Sequence, residues 1–358
     1  MKAVILAGGY GTRLRPLSCI KPKLLFPILG KPILKRNLEV LSKIGVTEVI
    51  LAVNYLAKEL KRELGKQYAG LTIKYSLEKT PLGTGGPIKK AEKLIDEYPF
   101  FIMNGDVVFG EEILEILKTH EENHPVATVA LHEVDDPSRF GVVKLNEKMF
   151  IEEFIEKPKQ QPPSKLINAG IYLAEKEIFN YIKPGKASLE KEVFPVLASE
   201  KKLLGYKYNG VWFDIGKIND FIKANFSFLN SSKNNLIIED NVKISEKAKL
   251  NPPVFIGSSS KIYGEVGPYA VVNKQCIINK DAKVSNSILF QKVKVGKSSI
   301  IVNSIIGDEA FINENVEVKD SILSFRVSVN KGVKIVNNVK VCPFKEVEED
   351  VIGPKTIG

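Results

Sequence analysis

The chain has 358 residues, 44% of them hydrophobic, and carries a formal net charge of +10. That length exceeds one ordinary core and predicts two domains. No apolar run approaches the roughly 20 residues needed to cross a bilayer, so a soluble cytoplasmic protein with no membrane partner is expected. Lysines and arginines are spread through both halves, with no basic block interleaved with aromatics. This argues against a nucleic-acid partner and suits anionic small substrates. Cys19, Cys276 and Cys342 are odd in number and widely spaced, with no CxxC pair, so neither a disulfide framework nor a zinc site is expected.

The amino terminus is a short apolar run, Met1 to Ala7, that breaks into Gly8-Gly9-Tyr10-Gly11-Thr12-Arg13-Leu14-Arg15-Pro16. This reads as a buried strand whose carboxyl end delivers a loop where backbone can approach a ligand. Backbone N–H groups, Arg13, Arg15 and the following Lys23 make that loop a phosphate cradle. It lacks the third glycine of a dinucleotide loop and the Gly-Lys-Ser/Thr of a Walker A loop. Pro16, Pro22 and Pro27 forbid a continuous helix behind it, so loop amides and cations must do more than a helix dipole.

Helical spacing of Ile33, Leu34, Leu38, Leu41 and Ile44, with Pro32 at the start and Gly45 at the stop, predicts a helix. Strands follow at 48–53, 71–75 and 99–103, alternating with helices at 56–64 and 88–95. That alternation predicts a parallel sheet with ligands bound beyond the carboxyl ends of its strands. At those ends lie a second glycine-rich loop, Pro81-Leu82-Gly83-Thr84-Gly85-Gly86, suited to a flat base lying on backbone, and Asn104-Gly105-Asp106, which sets a carboxylate where a triphosphate would lie. Strands at 126–134, 141–145, 150–155 and 166–173 predict a mixed-sheet subregion covering a second substrate. Helices are expected at 188–198 and 218–229. Between them, Gly210-Val211-Trp212-Phe213-Asp214-Ile215-Gly216 sets an acid among apolar residues, where a metal ion would be an economical partner.

After the polar stretch 230–235 the aliphatics recur every six residues: Ile238, Ile244, Leu250, Ile256 and Ile262, then Val266, Val272, Ile278 and Val284. The repeat continues after phase shifts to Val341. This is a hexapeptide repeat and predicts a parallel β-helix. His120, His124 and His132 all precede the linker, so the histidine base of β-helix acyltransferases is missing. Homo-oligomerisation through an exposed β-helix face is expected instead.

The glycine-arginine signature with Lys23 resembles that of sugar-1-phosphate nucleotidylyltransferases, and its details are most similar to the mannose-1-phosphate guanylyltransferases. The similarity runs through Glu156-Lys157-Pro158, the segment 188–195 and the segment 210–216 into the β-helix. It implies a Rossmann-like α/β nucleotidyltransferase domain with a mixed, mainly parallel sheet over residues 1–230, a linker at 231–236 and a left-handed β-helix at 237–358. The implied activity is transfer of a nucleotidyl group from an NTP, GTP in this subfamily, to a sugar 1-phosphate, mannose 1-phosphate, with Mg²⁺.

By the same resemblance, Arg13 and Lys23 bind the triphosphate, Asp106 and Asp214 hold the metal, and Lys157 contacts the sugar phosphate. Leu6, Ala7, Gly8, Gly9, Gly11, Thr12, Pro81, Gly83, Thr84 and Asn104 line the nucleotide. Gly141, Glu156, Asn168 and Gly170 line the sugar. Glu78, three residues before Pro81, stands where uridylyl- and thymidylyltransferases typically have glutamine. A carboxylate can accept both the N1–H and the amine of guanine, which favours GTP. Gly85-Gly86 departs from a common Ala-Gly. The alternatives are transfer of a uridylyl, thymidylyl or adenylyl group to glucose 1-phosphate, and a non-catalytic nucleotide-sugar sensor. Loss of Arg13, Lys23, Asp106 or Asp214 would favour the sensor, and all four are present.

Overall fold

In the computed structural model, which describes residues 1–54 and 56–358, the run Lys2–Ala7 forms β1. The elements after it are α1 (Ile33–Lys43), β2 (Glu48–Val53), α2 (Ala57–Leu64), β3 (Leu71–Leu77), α3 (Gly85–Ala91), β4 (Phe100–Asn104) and β5 (Val107–Phe109). Then come α4 (Glu115–Asn123), β6 (Ala127–Glu133), β7 (Gly141–Leu145), β8 (Ile151–Glu156), β9 (Leu166–Ala174), α5 (Phe194–Ser199), β10 (Leu203–Lys207) and β11 (Trp212–Asp214). Contacts group the chain into two units: Met1–Tyr10 with Ile33–Asp214, and Gly11–Pro32 with Ile215–Gly358. The sequence boundary at 230 follows chain order, whereas this division follows packing.

In the first unit β1 lies between β4 and β2, parallel to both, and β3 extends the parallel set. Ala3, Val4 and Ile5 are fully buried, as a central strand covered on both faces requires. The ten-stranded sheet runs β8-β7-β9-β4-β1-β2-β3-Gln67–Tyr68, with β6 paired to β9 and β10 to β6. Its pairings from β4 to β9 and onward through β7 and β8 are antiparallel, so the sheet is mixed. Strands β1–β4 and β6–β9, with α1 and α2, fall within a few residues of their expected positions. The helix expected from Ile88 begins at Gly85 instead. The run expected at 188–198 forms as a wide π-helical turn, Leu189–Val193, leading into α5. Strands β5, β10 and β11 and helix α4 were not anticipated.

In the second unit α6 (Ile218–Asn230) precedes three parallel sheets of eight, seven and seven short strands. Ile238, Ile256, Val272, Leu289, Ile306, Leu323, Val341 and Ile357 form one aliphatic ladder. Ile244, Ile262, Ile278, Val295, Ile312, Val329 and Val347 form the second. The third is Leu250, Val266, Val284, Ile301, Val318, Ile335 and Val351. One coil is therefore three hexads, consistent with the left-handed β-helix expected, and the phase shifts mark coils a residue or two short. No helix among the described residues is long and apolar enough to cross a membrane.

Each interior ladder member is held between aliphatic neighbours above and below, as Ile301 is between Val284 and Val318, so a cavity there cannot be filled by relaxation from one side. Ile301→Ala, at a fully buried rung, is expected to destabilise the β-helix by about 2–4 kcal/mol, measured by urea unfolding. Loss below about 1 kcal/mol would contradict the ladder packing.

Candidate active site

The carboxyl ends of the four parallel strands meet at one edge of the first unit. Leu6 of β1 lies opposite Asn104 of β4, and the Gly105 N–H donates to Leu6 O at 3.0 Å. On the other side Ala7 lies opposite Val53, and the Glu78 N–H donates to Val53 O at 2.8 Å. Gly8 needs its missing side chain here. An added Cβ would lie 3.3 Å from Glu78 Oε1 and 3.6 Å from Asn54 Cβ. Glu78 is thus buried against the glycine signature rather than exposed on its loop, with its Oε2 accepting the Leu82 N–H at 3.2 Å. Burial pushes its carboxyl above the ordinary range, opposed by that N–H and by Lys90. Asn54, which sequence reasoning passed over, has a buried Nδ2 with no partner among the described residues. An orphaned donor beside a phosphate-type loop is a position a ligand oxygen can satisfy.

Asp106 sits in the tight turn between β4 and β5. Strand β5 pairs antiparallel with β11 in a two-stranded ribbon, with Val107 opposite Asp214, Val108 opposite Phe213 and Phe109 opposite Trp212. The pairing brings the second aspartate, more than a hundred positions away in sequence, to the residue next to Asp106. Both carboxylate residues are half-buried.

The antiparallel half of the sheet carries the other group of expected residues. Gly141 pairs with Glu156, and an added Cβ at Gly141 would meet Phe154 Cζ at 2.8 Å and Glu156 Oε2 at 3.0 Å. Lys157 is exposed, in the left-handed region at φ 51°, with Nζ 2.9 Å from Glu156 Oε1. Asn168 opens an irregularity in the β9–β6 pairing, its Oδ1 accepting the Gly170 N–H and its Nδ2 donating to Tyr172 Oη, both at 2.9 Å. Its amide thus shapes the bulge directly. Gly170 has φ 74°, and a Cβ there would lie 2.6 Å from Asn104 Nδ2. The Trp212 indole donates to Ala169 O at 2.9 Å and stacks on His132 with ring centroids 4.9 Å apart. Tyr172 is fully buried. Desolvation pushes its phenol well up, and the charges of Glu190, Glu156 and Asp106 add to that.

The second glycine loop serves packing as well as any ligand. A Cβ on Gly83 would fall 2.3 Å from Ala187 O, and one on Gly86 would fall 2.2 Å from Gly185 O. The Thr84 hydroxyl donates to Glu190 Oε2 at 2.5 Å and accepts the Leu189 N–H at 3.0 Å, and Ser188 Oγ donates to the same carboxylate oxygen at 2.9 Å. Glu190 therefore fixes the loop, a role no sequence signal announced. Pro81 and Gly83 remain exposed.

Gly11, Thr12, Arg13 and Lys23 belong to the second unit. Short 3₁₀ turns at Thr12–Leu14, Leu17–Cys19 and Lys23–Leu25 replace a helix, as the prolines require. Gly11, at φ 61°, packs over Ser18 and the Lys23 stem, and Ser18 Oγ donates to Gly11 O at 2.6 Å. Thr12 and Arg13 are exposed and Lys23 is half-buried.

A family model described as Nucleotidyl transferase matches residues 2–231, and one described as GMPPB C-terminal domain matches residues 232–357. The chain belongs to the nucleotidyl transferase family. This nucleotidyl transferase is 37% identical over 321 residues, 86% of each chain, to "Probable mannose-1-phosphate guanylyltransferase 3" of Oryza sativa subsp. japonica. It is 38% identical over 281 residues to "Mannose-1-phosphate guanylyltransferase catalytic subunit beta" of Danio rerio, covering 77% of this chain and 74% of that one. Among solved structures, HddC from Yersinia pseudotuberculosis complexed with GMP-PN superimposes with TM-score 0.54 at 31% identity, over 63% of this chain and 99% of that chain. A putative glucose-1-phosphate thymidylyltransferase from Bacillus anthracis gives TM-score 0.59 at 27% identity, over 63% and 94%. The family resemblance drawn from the glycine-arginine signature is borne out.

The burial of Glu78 has a pH signature in this nucleotidyl transferase. Its folded-state pKa is raised, so the charged form penalises folding above the carboxylate range and the penalty disappears as the group protonates. Glu78→Gln keeps an oxygen for the Leu82 N–H and should melt above wild type at pH 7–8, with the gap closing as pH falls through the carboxylate range. A pH-independent difference would contradict this origin.

Proposed function

We propose that the protein transfers the guanylyl group of GTP to mannose 1-phosphate, forming GDP-mannose and pyrophosphate. The observation that carries the reading is the β5–β11 ribbon, which sets Asp214 opposite Val107 and so beside Asp106. Family membership and the names of the relatives support the substrate pair.

The attacking group is a sugar-phosphate oxygen, already anionic near neutral pH, so no general base is needed. It bonds to the α-phosphorus as the bond to the pyrophosphate oxygen breaks in line, and the electron pair leaves with pyrophosphate. The residues then have to position two anions and neutralise charge. Arg13 and Lys23 stabilise the leaving pyrophosphate. Backbone amides from Gly8 to Thr12 cradle the phosphates. Lys157, oriented by Glu156, holds the sugar phosphate, and the bulge built by Asn168 and Gly170 shapes the sugar's surroundings. Glu78 accepts from the guanine edge with Oε1, its Oε2 being engaged by Leu82.

Enzymes of the family generally use a divalent metal. Two aspartates at neighbouring positions suit Mg²⁺, which takes one or two carboxylates plus substrate phosphate oxygens and water. Among the described residues no three His, Cys, Asp or Glu side chains cluster as a metal cage. Asp106 and Asp214 would hold the ion, which supplies neutralisation of triphosphate charge when bound. The reading includes self-association through the β-helix, where Phe311, Phe344 and Ile352 are exposed.

Pyrophosphate release across a matrix of NTPs and sugar 1-phosphates with Mg²⁺ tests the assignment. GTP with mannose 1-phosphate is expected to turn over fastest. No turnover with any pair would refute the enzyme, and preference for UTP or dTTP would refute the role given to Glu78. Asp106→Asn and Asp214→Asn should each cost on the order of 10²–10³ in kcat with the fold retained by circular dichroism, the scale of lost charge stabilisation. Near-wild-type rates in either would refute the metal assignment.

A further inference from the structure

The loop Gly11–Pro32 is inserted in sequence between β1 and α1, yet it is anchored on the β-helix. Lys21 Nζ donates to both oxygens of Asp308, at 3.0 Å and 2.8 Å, and lies 5.1 Å above the Phe290 ring. The Asp308 side chain is only 9% exposed and that of Lys21 21%, so the pair is largely shielded from solvent. Ser324, buried in a neighbouring coil, donates from Oγ to Pro16 O at 3.0 Å. Phe26 of the loop, Phe221 of α6 and Phe290 of the β-helix form a mutual edge-to-face trio with centroids 5.5–5.8 Å apart. Two of these ties fall between the two cations assigned to the triphosphate: Pro16 is three residues after Arg13, and Lys21 is two residues before Lys23.

A salt bridge that only added stability could sit anywhere on the loop. This one is bidentate, nearly buried and placed within one short turn of Lys23. A turn containing Pro22 has little freedom of its own, because proline fixes φ. Pinning Lys21 therefore fixes where the Lys23 stem leaves the backbone, against Gly11. We infer that Asp308, through Lys21, is a positioning residue for the triphosphate-binding loop, so that the β-helix sets the geometry of the cations that hold the leaving pyrophosphate. The inference rests on the role given above to Arg13 and Lys23. It extends the machinery to a residue nearly three hundred positions away in sequence, in the β-helix.

The full-length protein is compared with Asp308→Asn, Lys21→Met, the double variant and Ser324→Ala. Steady-state kinetics are combined with calorimetric titration of inorganic pyrophosphate. Asp308→Asn and Lys21→Met should each raise KM for GTP and Kd for pyrophosphate about tenfold, leaving KM for mannose 1-phosphate within about twofold. The double variant should be no worse than the poorer single one, because both remove the same contact. Ser324→Ala, which deletes one hydroxyl, should show the same split more weakly and keeps the test decisive if Asp308→Asn fails to fold. A purely structural contact would lower the melting temperature and the active fraction while leaving both constants for GTP and pyrophosphate unchanged, and that outcome overturns the inference. A wild type that binds neither GTP nor pyrophosphate overturns the inference together with the reading beneath it. A wild type that binds pyrophosphate but uses another triphosphate overturns only the choice of GTP, and the same comparison in that triphosphate decides the role of Asp308.

Discussion

A three-residue ribbon is the contact on which the candidate site depends. Strand β5 follows β4 through a tight turn, β11 arrives from the far end of the first unit, and their register sets Asp214 beside Asp106. Bringing two aspartates to neighbouring positions favours a site for positive charge between or beside them. The ribbon holds them together through backbone hydrogen bonds, and the Trp212 indole bonded to Ala169 O ties its end to the β9 bulge. That bulge is itself set by Asn168 and by the positive φ of Gly170. The ribbon that carries Asp214, the Trp212 ring and the bulge are thus linked through backbone pairing and the Trp212–Ala169 hydrogen bond.

Much of the architecture is legible in the sequence because it is periodic. The central parallel strands β1, β2 and β4 are apolar runs, α1 carries a helical apolar stripe, and the hexads count the β-helix coils down to their phase shifts. The short elements escape for the complementary reason. Strands β5 and β11 have three residues each, too few for a period, and what stabilises them is pairing with each other across the chain. The wide turn at Leu189–Val193 is likewise invisible locally, being fixed by the Ser188 and Thr84 bonds to Glu190.

The site residues divide along the same line. Gly8, Asp106 and Asp214 stand in local patterns strong enough to single them out, and the resemblance supplies Lys157 and Asn168. Which way Glu78 faces is not a local property, since it is buried against Gly8, in the loop after β1. The glycines of 81–86 read as a platform for a base, yet two of them are required by the backbone of residues 185–187. Asn54 carries no signal beyond its place just after a strand, and Asp308 none at all, because its partner lies in a loop near the opposite end of the chain.

The central claim is that Asp106 and Asp214 jointly hold a divalent cation with the triphosphate. Titrating Mn²⁺ into the protein with a non-hydrolysable GTP analogue, followed by electron paramagnetic resonance, reads this without turnover. The account predicts one tightly held Mn²⁺ per chain in the wild type that is weakened severalfold or more when either aspartate is changed to asparagine. Equal Mn²⁺ affinity in the wild type and both variants would contradict it.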